Sequence, residues 1–213
     1  MPEINRSLEH VGIGFAAFLA PPGPEVIRFT VGQPDFDTPT PVVEAVKAAL
    51  DRGETAYTRT QGSVELCDAV AKHLTIHNIK VDPEDVVVTP GCKQAVLYAM
   101  MATLDVGDEV LVLSPAWPSY DGMLKLINAV PVHVPVNRKN YHPDFNALEA
   151  AVTPKTKAIM LNSPNNPTGA VYTPEEVARI VQFAIKHDLW IIDDMIYATL
   201  VWTDYPYTSP AAL

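Results

Sequence analysis

The sequence predicts an α/β fold, a mostly parallel sheet flanked by helices. Two observations carry that expectation. Short apolar runs rich in Val, Ile and Leu recur along the chain, at lengths that suit strands buried on both faces. Between them lie stretches of helical pattern, and this alternation is what strands joined by helical crossovers produce. No internal repeat or low-complexity run competes with it.

The elements follow in order. Residues 1–40 are rich in turns towards their end, with Gln33-Pro34-Asp35-Phe36, and read as an arm leading into a main domain over 41–213. Residues 41–52 and 63–78 read as amphipathic helices, and 86–88 (Val-Val-Val) as a strand followed by a helix over 92–103. A strand at 109–113, a helix at 118–128, and strands at 130–136, 157–161 and 189–192 complete the series. A helix opens at Thr173-Pro174-Glu175-Glu176, where Thr173 can cap free amides, Pro174 suits the first helical position, and the carboxylates complement the helix's positive end.

Composition narrows the class of function. The 213 residues are 48% hydrophobic and 19% charged, which fits a globular domain and excludes a disordered chain. A formal charge of -10 and the lack of a basic stripe argue against nucleic-acid binding, which relies on counterion release. Cys67 and Cys92 are the two cysteines, so a reducing compartment, the cytoplasm, is expected. Residues 11–20 form an apolar run, but Glu3 and Glu9 stand against Arg6 before it, and ten residues cannot span a bilayer; a packed arm is expected, not a leader or a membrane anchor.

In an open parallel sheet, ligands bind beyond the carboxyl ends of the strands. Four loops there carry unusual chemistry. Thr89-Pro90-Gly91-Cys92-Lys93-Gln94 is a strand-to-helix junction able to present amides to an anion, although a glycine there also simply permits a turn. Ser114-Pro115-Ala116-Trp117-Pro118-Ser119-Tyr120 sets a large aromatic between prolines, as a rim residue or a core one. Asn162-Ser163-Pro164-Asn165-Asn166-Pro167-Thr168-Gly169 makes a constrained loop that can aim amide side chains, with X-Pro bonds of either isomer. Asp193 and Asp194 end an apolar strand; alternation sends one of them into a given pocket, and Asp193 is also readable as a solvated helix cap.

Together these segments closely resemble the class I/II aminotransferases, the fold-type I pyridoxal-phosphate enzymes, from about Val31 onwards. The strongest signature is Ser163-Pro164-Asn165-Asn166-Pro167-Thr168-Gly169. Gly32-Gln33-Pro34-Asp35-Phe36, Tyr57-Thr58, Gly91-Cys92-Lys93-Gln94-Ala95, Gly107-Asp108-Glu109-Val110, Ser114-Pro115-Ala116-Trp117 and the Asp194 to Tyr197 spacing support it.

The resemblance implies pyridoxal 5'-phosphate as cofactor and the family's large domain as fold, here incomplete. It implies that Asp194 partners the pyridine nitrogen and that Tyr197 and Asn166 donate to the ring's phenolic oxygen. Trp117 would stack on the ring, and the amides around Gly91, Cys92 and Lys93 would hold the phosphate. Tyr57 would reach the cofactor of a second subunit, implying a homodimer, and Gly32 and Asn166 would lie at the substrate carboxylate. Amino acids and 2-oxo acids are the implied substrates. Met195 stands where the family often has Glu, with the Asp-to-Tyr spacing kept, and Cys92 is expected to be a satisfied small side chain with no nucleophilic role.

The family's Schiff-base lysine is expected beyond the position matching Tyr197, and none of the nine lysines here lies in its context. The arginine clamp and the two strands that lie between 86–89 and the rest of the family's sheet are likewise expected beyond Leu213, so the isolated chain is expected to be unstable and inactive. Two alternatives stand beside an aminotransferase: a carbon–sulfur β-lyase or aminocyclopropane-carboxylate-synthase-like enzyme of the same fold, and a non-catalytic binding protein on the same scaffold.

Overall fold

A computed structural model of the protein describes residues 34–213 together with Glu25, Ile27 and Gly32. The expected arm over 1–40, including the apolar run at 11–20, lies largely outside the described residues. The helices are α1 (Thr40–Asp51), α2 (Val64–Leu74), α3 (Cys92–Thr103), α4 (Ser119–Leu126), α5 (Phe145–Ala151) and α6 (Pro174–His187). The strands are β1 (Glu109–Ser114), β2 (Val130–Pro135), β3 (Thr156–Leu161) and β4 (Trp190–Asp193).

The strands form one parallel sheet in the order β2-β1-β3-β4. Both its faces are covered, and the alternation of side chains along each strand decides what goes where. Val110, Val112, Ala158, Met160 and Ile192 pack against Val96 and Met100 of α3 and Tyr120, Met123 and Leu124 of α4. Leu111, Leu113, Ile159 and Leu161, one residue out of phase, pack against Leu148 of α5 and Val177, Ile180 and Phe183 of α6. Burying a side chain of this size stabilises by about 1.5–3 kcal/mol, so the continuous apolar strand runs hold the two helical layers in place.

Local signals fix the helix ends. Thr173 Oγ1 accepts from Glu176 N–H at 3.2 Å while Glu176 Oε2 accepts from Thr173 N–H at 2.9 Å, a reciprocal capping box at the start of α6. The amphipathic stretch 63–78 is helical only to Leu74; a 3-10 turn (Thr75–His77) follows, and Asn78 at φ 60° stops it. Helix α5 was not expected from periodicity. Its start is set by Asp144, whose Oδ1 accepts from the N–H groups of Asn146 and Ala147 at 2.9 and 3.2 Å.

The expected strand at 86–88 requires correction. The segment lies outside the sheet: Val88 N–H donates to Gln61 O at 2.8 Å and Val86 N–H to Pro83 O at 3.2 Å. Val86 and Val88 pack instead with Cys67, Val70 and Ala71 in a small cluster on α2. Branched residues favour extended backbone, but a strand exists only where a second strand supplies the ladder. Among the described residues no helix is long and apolar enough to cross a membrane.

Candidate functional site

Strand order reverses direction at the β1/β3 boundary: β1 leads to β2 on one side, while β3 leads to β4 on the other. Such a switch point opens a crevice at the carboxyl ends of the strands. The loops after β1, β3 and β4 meet there.

Asp194, just past β4, is 5% exposed. Its N–H donates to Leu161 O at 2.8 Å and its carbonyl accepts from Asn162 Nδ2 at 2.9 Å, which ties it to the end of β3. The carboxylate turns towards α3 and α4. Oδ2 accepts from Tyr120 Oη at 2.6 Å, and Oδ1 accepts from Cys92 Sγ at 3.4 Å and Ile196 N–H at 3.3 Å. Bonds to a charged group contribute about 1.5–3 kcal/mol each, enough to offset the cost of burying it.

The donors are held in their protonated forms. Burial, and then the charge of Asp194, pushes the Tyr120 phenol well above its usual range. The same causes push the Cys92 thiol up to about 11, so it is a donor and not a nucleophile. Trp117 is half-buried, edge-on to Tyr120 with ring centroids 5.3 Å apart, and Lys93 Nζ sits 5.1 Å from its ring centroid.

Asn166 is aimed by a loop wired to itself. Asn165 Oδ1 accepts from Thr168 N–H at 3.2 Å and Thr168 Oγ1 at 2.9 Å, and Ser163 Oγ accepts from Tyr172 N–H at 2.8 Å. Asn162 Oδ1 accepts from Asn166 N–H at 2.9 Å, and Asn166 Nδ2 donates to Tyr197 Oη at 3.3 Å. The Ser114-Pro115, Ser163-Pro164 and Asn166-Pro167 bonds are cis.

Gly91 is the N-cap of α3 at φ 87°, ψ 159°, a conformation essentially restricted to glycine. No side chain caps this helix end, and a Cβ added at Gly91 would meet open space. The structure therefore brings Gly91, Cys92, Lys93, Trp117, Asn166, Asp194 and Tyr197 to one end of the sheet. Tyr57 is fully exposed, and among the described residues nothing lies within 4 Å of a Cβ built on Gly32.

Two groups were not singled out from sequence. Tyr120 and Asn162 clamp Asp194 on two sides, and the signal for Tyr120 was an aromatic hydroxyl in the first turn after a strand-end loop. The reading of Asp193 requires correction. It is not a solvated cap: burial pushes its carboxyl up to about 6, with the neighbouring Asp194 acting in the same sense, against the bonds from Ser209 and Tyr207. Ser209 Oγ and Tyr207 Oη both donate to its Oδ2 at 2.9 Å, while Oδ1 is buried without a partner among the described residues.

The sequence matches the family model described as aminotransferase class I and II over residues 24–212. The chain belongs to the class I and II aminotransferases. It is 44% identical over 194 residues to a probable aspartate/prephenate aminotransferase of Thermus aquaticus, covering 90% of this chain and 50% of that protein. It is 44% identical over 187 residues to an aspartate aminotransferase of Thermotoga maritima, covering 85% and 49%. Among solved structures, the aspartate aminotransferase from Thermus thermophilus with maleate superposes at TM-score 0.92 and 38% identity, over 100% of this chain and 58% of that one. The chain thus spans about half the length of the curated aminotransferases it matches.

Proposed function

We propose that this chain supplies the cofactor-orienting groups of a pyridoxal-phosphate-dependent aminotransferase acting on amino acids and 2-oxo acids. The observation that carries the reading is the buried Asp194 carboxylate at the strand ends, faced by the Asn166–Tyr197 pair and by the open N-terminus of α3. The donor set fits the group. Asp194 accepts three hydrogen bonds, from Tyr120, Cys92 and Ile196, and an ionised carboxylate has room for about four, which leaves capacity for a protonated ring nitrogen. The α3 N-terminus, with glycine at its cap, suits a phosphate.

When bound, pyridoxal phosphate supplies the electron sink that loosens the α-proton of an amino acid. Asp194 would keep the ring nitrogen protonated, with Tyr120 and Cys92 holding that carboxylate in place. Asn166 and Tyr197 would donate to the phenolic oxygen, and Trp117 would offer a flat face to the ring. Asn166 and Gly32 are proposed to meet the substrate carboxylate, and the full exposure of Tyr57 suits a residue that reaches a second subunit of a homodimer. The names of the relatives favour aspartate as one amino donor. The division into an arm (1–40) and a cofactor-binding domain (41–213) remains our reading of the sequence.

The test is a cofactor titration and a transamination assay on the full-length protein. Aspartate with 2-oxoglutarate should yield glutamate, and Asp194→Ala should weaken cofactor binding and abolish turnover. Unchanged cofactor binding in Asp194→Ala defeats the reading, and release of pyruvate and ammonia in place of amino transfer favours a β-lyase.

A further inference from the structure

A second constellation lies at the ends of β1 and β2, on the side of β1 away from Asp194. Ser114 is the last residue of β1 and pairs with Pro135 of β2; His133, two residues earlier on β2, pairs with Val112. Ser114 and His133 are therefore diagonal neighbours on one face of the sheet. Ser114 Oγ is 2.7 Å from His133 Nδ1, and His133 Nε2 is 3.0 Å from Oδ2 of Asp121, in the first turn of α4.

With His133 neutral, the chemistry of the three groups sets the direction of these bonds, and the other acceptor near Ser114 Oγ, Val112 O, is farther away at 3.4 Å. An ionised Asp121 only accepts, so His133 Nε2 must carry a proton and donate it. In the neutral imidazole Nδ1 then bears a lone pair, and the Ser114 hydroxyl can only donate to it. This is the polarity of a serine–histidine–aspartate relay, with the two ring nitrogens exchanged. An open depression of about 410 Å3 lies over Ser114 and His133, with Arg138 and Tyr141 on its wall. That volume suits a small molecule, and Arg138 brings a positive charge to its lining.

We propose that Ser114, His133 and Asp121 form an acyl-transfer site, separate from the aminotransferase site, that hydrolyses esters of small carboxylic acids. Ser114 Oγ attacks the ester carbon and its proton passes to His133 Nδ1. The carbon–oxygen bond to the alcohol breaks, and the alcohol leaves with the proton from His133. Water then attacks the acyl-serine, giving a proton to His133; the Ser114 Oγ–carbon bond breaks, the serine regains that proton, and the carboxylic acid departs. Ser114 and His133 are the catalytic residues. Asp121 is a positioning residue that fixes the imidazole tautomer.

The experiment is covalent labelling of the full-length protein with a fluorophosphonate, read by peptide mass spectrometry, alongside hydrolysis of p-nitrophenyl acetate. The expected result is one adduct, on Ser114, and ester hydrolysis lost in Ser114→Ala. In His133→Gln the labelling rate should fall at least about a hundredfold, the usual range for a general base. His133 is an exposed strand residue, so this variant tests the relay even if Ser114→Ala disturbs its loop; an unchanged circular dichroism spectrum reports an intact fold. Asp121→Asn should also slow labelling, and Asp121→Glu should restore part of it, which a merely structural role would not require. No adduct on Ser114, or equal labelling rates in the parent and His133→Gln, overturns the proposal.

Discussion

Replacing Asp193 with Asn should make the protein more stable at alkaline pH and remove part of its pH dependence. In the folded protein burial pushes this carboxyl up to about 6, with its Oδ1 unpartnered among the described residues, whereas an unfolded aspartate titrates at about 3.9. Between those values the native state holds a proton that the unfolded chain has lost. Stability therefore falls as pH rises through the window, by roughly 3 kcal/mol in full. Asn keeps an oxygen to accept from Tyr207 and Ser209, but leaves its amide facing the place where Oδ1 found no partner, at about 1 kcal/mol. The net gain is about 1–2 kcal/mol at pH 8, shrinking towards zero or below by pH near about 4. His77, edge-on to Tyr207 with ring centroids 5.1 Å apart, is held below the usual imidazole range by burial and then by His73. Its effect has the opposite sign, stability being lost as pH falls, but it is common to both proteins and cancels in the difference. Urea unfolding of the parent and Asp193→Asn at matched pH measures that difference. A difference that does not vary with pH would refute the assignment of a raised titration to Asp193.

Three further predictions concern the Asp194 cluster and its surroundings. Tyr120→Phe removes the 2.6 Å donor to a buried carboxylate and should cost about 1.5–3 kcal/mol of stability, measured by urea unfolding; a neutral result would mean that water replaces the phenol. Gly91→Ala should cost about 1–3 kcal/mol through backbone conformation alone, since its Cβ meets open space, and thermal unfolding together with cofactor titration checks it. Cys92, with its thiol near 11 against an ordinary 9.0, should hold about a hundredfold less thiolate than an unperturbed cysteine at neutral pH. Its reaction with a disulfide reagent should be slower in proportion, read by peptide mass spectrometry.

Much of the fold was legible because each strand of the sheet is buried on both faces. Val110 and Val112 serve one helical layer and Leu111 and Leu113 the other, so the sequence there is continuously apolar and short, a pattern that a surface helix does not share. The α6 start was readable to the residue because a capping box is a local device, closed within four positions. Residues 86–88 misled for the converse reason: β-branched side chains report an extended backbone, but pairing is a property of a neighbour that local sequence does not name. Helix α5 was missed because seven residues make too little of a periodic pattern.

The candidate site divides in the same way. Asn166 and Asp194 stand in distinctive strings and were found from the motif, while Tyr120 was visible only once α4 had been docked on the sheet. The adjacent aspartates make the distinction sharpest. Alternation along an extended chain predicts that Asp193 and Asp194 face opposite ways, and they do: one meets Tyr207 and Ser209, the other Tyr120 and Cys92. Periodicity cannot tell which face holds enough donors. Asp194 has partners on both oxygens, whereas among the described residues Asp193 has one buried oxygen without a partner. The carboxylate with both oxygens met is held in a fixed geometry, and it is the one at the switch point beside Asn166 and Tyr197. The one with a bare oxygen gains a neutral form within reach of ordinary pH, so its effect is on stability.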